Sequence, residues 1–181
     1  MQETRWIETP WRGKLAIVSR PRGGEWLESD LRALRSEGVG VLASVLADSE
    51  VADLELSVEG GLCERVGMEF RSFPIADRSI PDSFEDAREF VHLLSKALSN
   101  GIHVGIHCRQ GLGRSPMIAI AVLVHGGVGL EEAIRRVADA RGTEVPETYE
   151  QMNWLRRFAV EDAHVFVSES QSDQADYKID S

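Results

Sequence analysis

The nine residues from His107 to Ser115, His-Cys-Arg-Gln-Gly-Leu-Gly-Arg-Ser, place a thiol and a guanidinium, Cys108 and Arg114, with five residues between them. The preceding run, Ile102 to His107, reads as a short buried strand, and the apolar stretch from about Arg114 to Val124 reads as a helix. A loop that leaves a strand and enters a helix aims successive backbone N–H groups at one spot. Gly111 and Gly113 permit the tight, partly left-handed path this needs. The expected product is a cradle for a tetrahedral oxyanion. The helix N-terminus adds partial positive charge, and Arg114 offers a planar fork for two phosphate oxygens. The same field favours the thiolate of Cys108, a nucleophile set below a bound phosphorus.

His-Cys, five residues, Arg and then Ser, between a strand and a helix, resembles the signature of the protein-tyrosine phosphatase superfamily. The upstream segment Phe73-Pro74-Ile75-Ala76-Asp77-Arg78-Ser79-Ile80-Pro81-Asp82 resembles the general-acid loop of small dual-specificity phosphatases, the cyclin-dependent-kinase-associated phosphatase branch in particular. The resemblance implies that Cys108 attacks phosphorus while Arg114 and the amides of Arg109, Gln110, Gly111, Leu112, Gly113 and Arg114 hold its oxygens. It implies that Asp77 protonates the leaving oxygen and later deprotonates water, with Asp82 as the competing acid. Ser115 corresponds to a family position that donates a hydrogen bond to the sulfur, against the ordinary reading of a first-turn helix Ser. His107 is expected to orient the loop through hydrogen bonds. Gln151 resembles a family position that places the hydrolytic water, although a helix-surface Gln is the ordinary reading. Cys63 could pair with Cys108 under oxidation, as a nearby second Cys does in some relatives, or be a packed free thiol.

The function implied is a cysteine-dependent phosphatase acting on phosphotyrosine and phosphoserine or phosphothreonine of proteins, through a phosphocysteine. No cofactor is expected, and no metal, because amides and Arg114 stabilise the charge. His92, His103, His125 and His164 show no metal-ligand spacing. The loop lacks the two-Lys pattern of phosphoinositide phosphatases, and no segment matches the phosphotyrosine-recognition loop of the larger tyrosine-specific enzymes. Two rival readings stand beside this one. A phosphate-reading module with little turnover is disfavoured by the intact Cys108, Arg114 and Asp77. An arsenate reductase or sulfurtransferase would need Cys63 as resolving thiol or a different loop ending.

The elements that must position these residues alternate between β-like runs and helical periods, the pattern of an α/β layer structure. Strands are expected at Leu15–Ser19, Val39–Val45, Phe70–Ile75 and Ile102–His107. Helices are expected after Gly24 to Gly38, after a capping Asp48, from Ser83 to Leu98, from Arg114 to Val124, from Leu130 to Ala140 and from Pro146 to Val160. The fold class that the resemblance implies is a single α/β domain, a central, mostly parallel sheet of four or five strands flanked by helices. Trp6, Trp11, Trp26 and Trp154 are read as packing anchors.

Composition sets the outer limits. With 181 residues and 43% hydrophobic content the chain suits one core, taken as residues 1–167. Residues 168–181 carry four acids, one Lys and almost no apolar side chain, and are expected to be a disordered acidic tail. A formal charge of −10 opposes non-specific binding to nucleic acid or an anionic membrane surface. No apolar run approaches the roughly 18 residues of a membrane span. Two Cys and no signal-peptide pattern point to a cytoplasmic protein, expected to be a monomer whose partner is a phosphorylated protein.

Overall fold

The computed structural model describes residues 3–176, and side chains through residue 162. Five strands form one sheet: β1 (Thr4–Ile7), β2 (Leu15–Val18), β3 (Val39–Ser44), β4 (Glu69–Ser72) and β5 (His103–His107). Their spatial order is β1-β2-β5-β3-β4. Only the β1–β2 pair is antiparallel. The expected α/β class and mostly parallel sheet are thus what the chain forms. β1 escaped sequence reading because it is a polar four-residue edge strand, TRWI, with a single fully buried side chain, Ile7.

Alternation along the strands divides the core in two. Leu15, Ile17, Val41, Ala43, Val104 and Ile106 face helices α4 (Phe84–Ser99), α5 (Arg114–His125), α6 (Leu130–Arg141) and α7 (Tyr149–Asp176). Ala16, Val18 and Leu42 face a short 3₁₀ turn (Gly24–Trp26) followed by α1 (Leu27–Ser36), then α2 (Asp48–Asp53) and α3 (Glu59–Arg65). α1 buries Leu27, Leu31 and Leu34 completely, at i, i+4 and i+7 spacing. Each is worth about 2 kcal/mol of burial. α5 has no solvent face over most of its length, every residue from Arg114 to Leu123 being buried. α4 starts as its sequence predicts, with the Ser83 hydroxyl accepting from the Asp86 N–H at 3.2 Å.

Several boundaries differ from expectation. Ala47, not Asp48, caps α2, and its N–H is held by the Glu50 carboxylate at 3.0 Å. α3 was missed, since the Gly60–Gly61 pair obscures helical periodicity. α7 begins at Tyr149 rather than Pro146 and runs to Asp176. Residues 177–181, the end of the expected acidic tail, lie outside the described residues, as does the side chain of His164. Trp154 is a core residue, and Trp6 and Trp11 pack against the two clusters. Trp26 is not an anchor: it is 52% exposed and covered on one face by the Arg22 guanidinium, 4.7 Å from the ring centre. Among the described residues no helix is long and apolar enough to cross a membrane.

Candidate active site

In a parallel sheet the C-terminal strand ends share one edge, and the loops leaving them converge there. Ser44 at the end of β3 pairs in register with His107 at the end of β5, and β4 runs parallel beside β3. The loops after β5, β3 and β4 therefore bring Cys108, Glu50 and Asp77 to one cavity of about 310 Å³. Arg78, Arg109, Gln110, Leu112, Gly113, Arg114 and Glu147 complete its wall.

Cys108 is buried at the cavity floor, and its Sγ accepts the Gly111 N–H at 3.2 Å and the Ser115 hydroxyl at 3.3 Å. Gly111 has φ +72°, the left-handed conformation expected of the loop. Gly113 does not: its φ is −113°, and glycine is needed there for space instead. A Cβ at Gly113 would lie 2.9 Å from Gln151 Oε1 and 3.2 Å from Glu147 Oε2.

Gln151 is fully buried, which overturns its reading as a surface residue of a helix. Its Nε2 donates to the Ser79 carbonyl at 3.0 Å, tying α7 to the loop that carries Asp77. His107 is also fully buried. Its carbonyl accepts from the Val45 N–H at 3.0 Å, so it is the backbone that joins this strand end to β3. The expected side-chain hydrogen bonds are absent among the described residues. The ring Nε2 lies 3.1 Å from Glu59 Oε1 but at an angle that makes no hydrogen bond.

Arg114 is 2% exposed and its fork is fully engaged. Nη1 donates to Glu50 Oε2 and, at 3.0 Å, to the Ile75 carbonyl; Nη2 donates to Glu50 Oε1 at 3.0 Å and Asp77 Oδ1 at 2.8 Å. Burial pushes the Glu50 carboxyl up, but the hydrogen bonds from Arg114 and the Ala47 amide more than offset this and hold it below the ordinary value. Burial likewise disfavours the charged Arg114, and pairing with Glu50 and the charge of Cys108 reverse the balance, so its pKa is raised. Asp77 is largely exposed on its outer side, whereas Asp82 is exposed and does not line the cavity.

Glu50, the Arg78–Glu147 ion pair of 2.6 Å at the rim, and Arg141 were all missed by sequence reading. Glu50 looked like a helix-start residue, which it also is. Arg141 sits behind the loop, where a Cβ at Gly111 would lie 3.6 Å from its guanidinium carbon. Cys63, by contrast, is far from this chemistry. It is buried in the cluster on the opposite sheet face from Cys108, both thiols are free, and burial together with Glu59 and Glu64 pushes its pKa up to about 12.

A thiol at a strand end, an amide-lined loop and a buried Arg at the following helix start define the class of proteins built on the protein-tyrosine phosphatase fold. Residues 16–128 match the family model Tc-R-P, the DSP-PTPase phosphatase of polymorphic toxin systems. The chain belongs to this family of dual-specificity-type phosphatases. It is similar to human cyclin-dependent kinase inhibitor 3, 29% identical over 149 residues that cover 81% of this chain and 70% of that one. A solved structure of kinase associated phosphatase, with serine in place of its catalytic-site cysteine, superposes with a TM-score of 0.78. At 23% identity, with 89% of this chain and 96% of that chain covered, it shows the shared fold. Tk-PTP in its active form gives a TM-score of 0.70 at 28% identity, covering 86% of this chain and 95% of that chain. The matched stretch spans 63 to 70% of the rat and human forms of the cyclin-dependent kinase inhibitor.

Proposed function

We propose that the protein is a cysteine-dependent phosphatase that hydrolyses phosphate monoesters of phosphorylated proteins by way of a phosphocysteine. The observation that carries this reading is the double donation to Cys108 Sγ from Gly111 and Ser115, on the floor of the cavity where Arg114 and Asp77 meet. An entering phosphate dianion takes the Arg114 Nη2 contact from Asp77, leaving that carboxyl above the leaving oxygen. Cys108 thiolate attacks phosphorus; the S–P bond forms, the ester O–P bond breaks, and protonated Asp77 gives its proton to the leaving oxygen. Water then attacks the phosphocysteine, Asp77 takes a proton from it, and the S–P bond breaks to release inorganic phosphate. The Ser115 hydroxyl, already directed at Sγ, stabilises the departing thiolate.

Gln151 is a positioning residue in this scheme, since its side chain packs against Gly113 and bonds the acid loop at once. The requirement for a reduced Cys108, together with the free Cys63, suits a reducing compartment such as the cytoplasm. Hydrolysis of para-nitrophenyl phosphate and of a phosphotyrosine peptide, with EDTA present, tests the proposal. Activity that disappears in Cys108→Ser supports it, and a fully reduced wild type that turns over neither substrate overturns it.

A further inference from the structure

The far end of α5 holds a second constellation. Arg114 and His125 are its terminal residues, about 17 Å apart at 1.5 Å per residue, so this cluster is separate from Cys108. Packing of α4 against α5 brings His92 Nδ1 to 3.4 Å from His125 Nε2, at the wall of a wide groove of about 1260 Å³. His125 Nδ1 lies 3.0 Å from both carboxylate oxygens of Asp162, which is 3% exposed. A carboxylate at that nitrogen holds the proton on Nδ1 and leaves the Nε2 lone pair pointing towards His92. At 3.4 Å the two ring nitrogens make a hydrogen bond at the long end of the range. Two imidazole nitrogens bound to one tetrahedral Zn²⁺ lie about 3.3 Å apart, given Zn–N bonds of about 2.0–2.1 Å.

We infer that His92 and His125 form a two-imidazole site for Zn²⁺ or a similar borderline divalent ion, with Asp162 orienting His125 from behind. Glu89 precedes His92 by three residues on α4 and lines the same groove, so it can swing in as a third ligand on the same helical face. Among the described residues no three such side chains already converge, and waters complete the coordination. The Ser95 hydroxyl, buried without a hydrogen-bond partner at the groove wall, is placed to receive one of them. Lys96 and Arg88 also line the groove; Arg88 is paired with Glu85 at 2.7 Å, which leaves Lys96 as the cation opposing the metal. The sequence hides this site because 33 residues separate its two ligands.

The test is calorimetric titration of the full chain with Zn²⁺, in a Cys108→Ser background so that the active-site thiolate does not compete. One saturable equivalent in the micromolar range is expected. It should weaken at least about tenfold in His92→Ala and in Asp162→Asn. His92 is exposed, so its replacement leaves the fold intact. Co²⁺ substitution should give the visible absorption of a nitrogen- and oxygen-ligated ion. Absence of saturable binding below about 1 mM, affinity unchanged in His92→Ala, or a sulfur-to-cobalt charge-transfer band overturns the inference.

Discussion

Glu50 reaches from the first turn of α2 to both terminal nitrogens of the Arg114 fork, so the cation expected to hold phosphate is oriented before any phosphate arrives. A carboxylate supplied by a separate helix thereby sets the plane of the guanidinium, and it does so in a place where neither group is well hydrated. Removing it by Glu50→Ala is expected to lower kcat/KM about a hundredfold and to destabilise the protein by about 3 kcal/mol, because Arg114 is left buried without its main partner. Steady-state kinetics and chemical denaturation check the two effects.

The same pair gives a pH signature. Glu50 is held below its ordinary value of 4.5 in the folded chain, so the unfolded chain binds more protons as the solution is acidified. Its contribution to stability is therefore complete above about pH 5 and is lost as pH falls through the depressed folded value. The gap in Tm between wild type and Glu50→Gln should be widest near neutrality and close in acid.

Asp77 Oδ1 accepts at 2.8 Å from Arg114 Nη2, the donor proposed to turn to an incoming phosphate. Asp77→Ala should consequently bind vanadate or inorganic phosphate at least as tightly as wild type. Its turnover should fall about a hundredfold or more for alkyl phosphates and much less for good leaving groups. A plot of log kcat against leaving-group pKa, steeper in the variant, is the readout; equal slopes would move the acid role to Asp82.

Gly113 and Gln151 are in contact, and a methyl group at the glycine would come within 2.9 Å of the amide oxygen. Gly113→Ala is expected to cost about tenfold in kcat/KM. Adding Gln151→Ala opens the space again, so the double variant should be more active than the product of the two single effects predicts.

Cys63 has its pKa raised to about 12, so at neutral pH it stays a buried thiol. Iodoacetamide should modify one cysteine in the native protein, Cys108, and two after unfolding, as read by intact mass.

Much of this was legible from local pattern. The strand–loop–helix unit of residues 102–124 announced itself by glycines, β-branched residues and a helix start, whereas Asp77 was singled out only by the resemblance of its loop to the general-acid loop of small dual-specificity phosphatases. Glu50 was not, because its partnership with Arg114 spans 64 residues and depends on β3 lying beside β5, an order no spacing encodes. Gln151 misled for a related reason. Exposure on a helix is judged by its own periodicity, whereas here a neighbouring loop covers that face. Gly113 was expected for the right residue type on the wrong ground, since packing rather than dihedral angle demands it.

The two border strands of the sheet, β1 and β4, are each four residues long, and β4 carries the Glu69–Arg71 ion pair while β1 carries Arg5 bonded to Glu3 at 2.6 Å. A second polypeptide extending the sheet at either border would find few rungs and would have to strip water from these charges. The chain thus presents the edge that carries Cys108 to solution while both lateral borders discourage templated growth, a safeguard for a mostly parallel sheet, whose non-local pairings form late, when many copies are made at once.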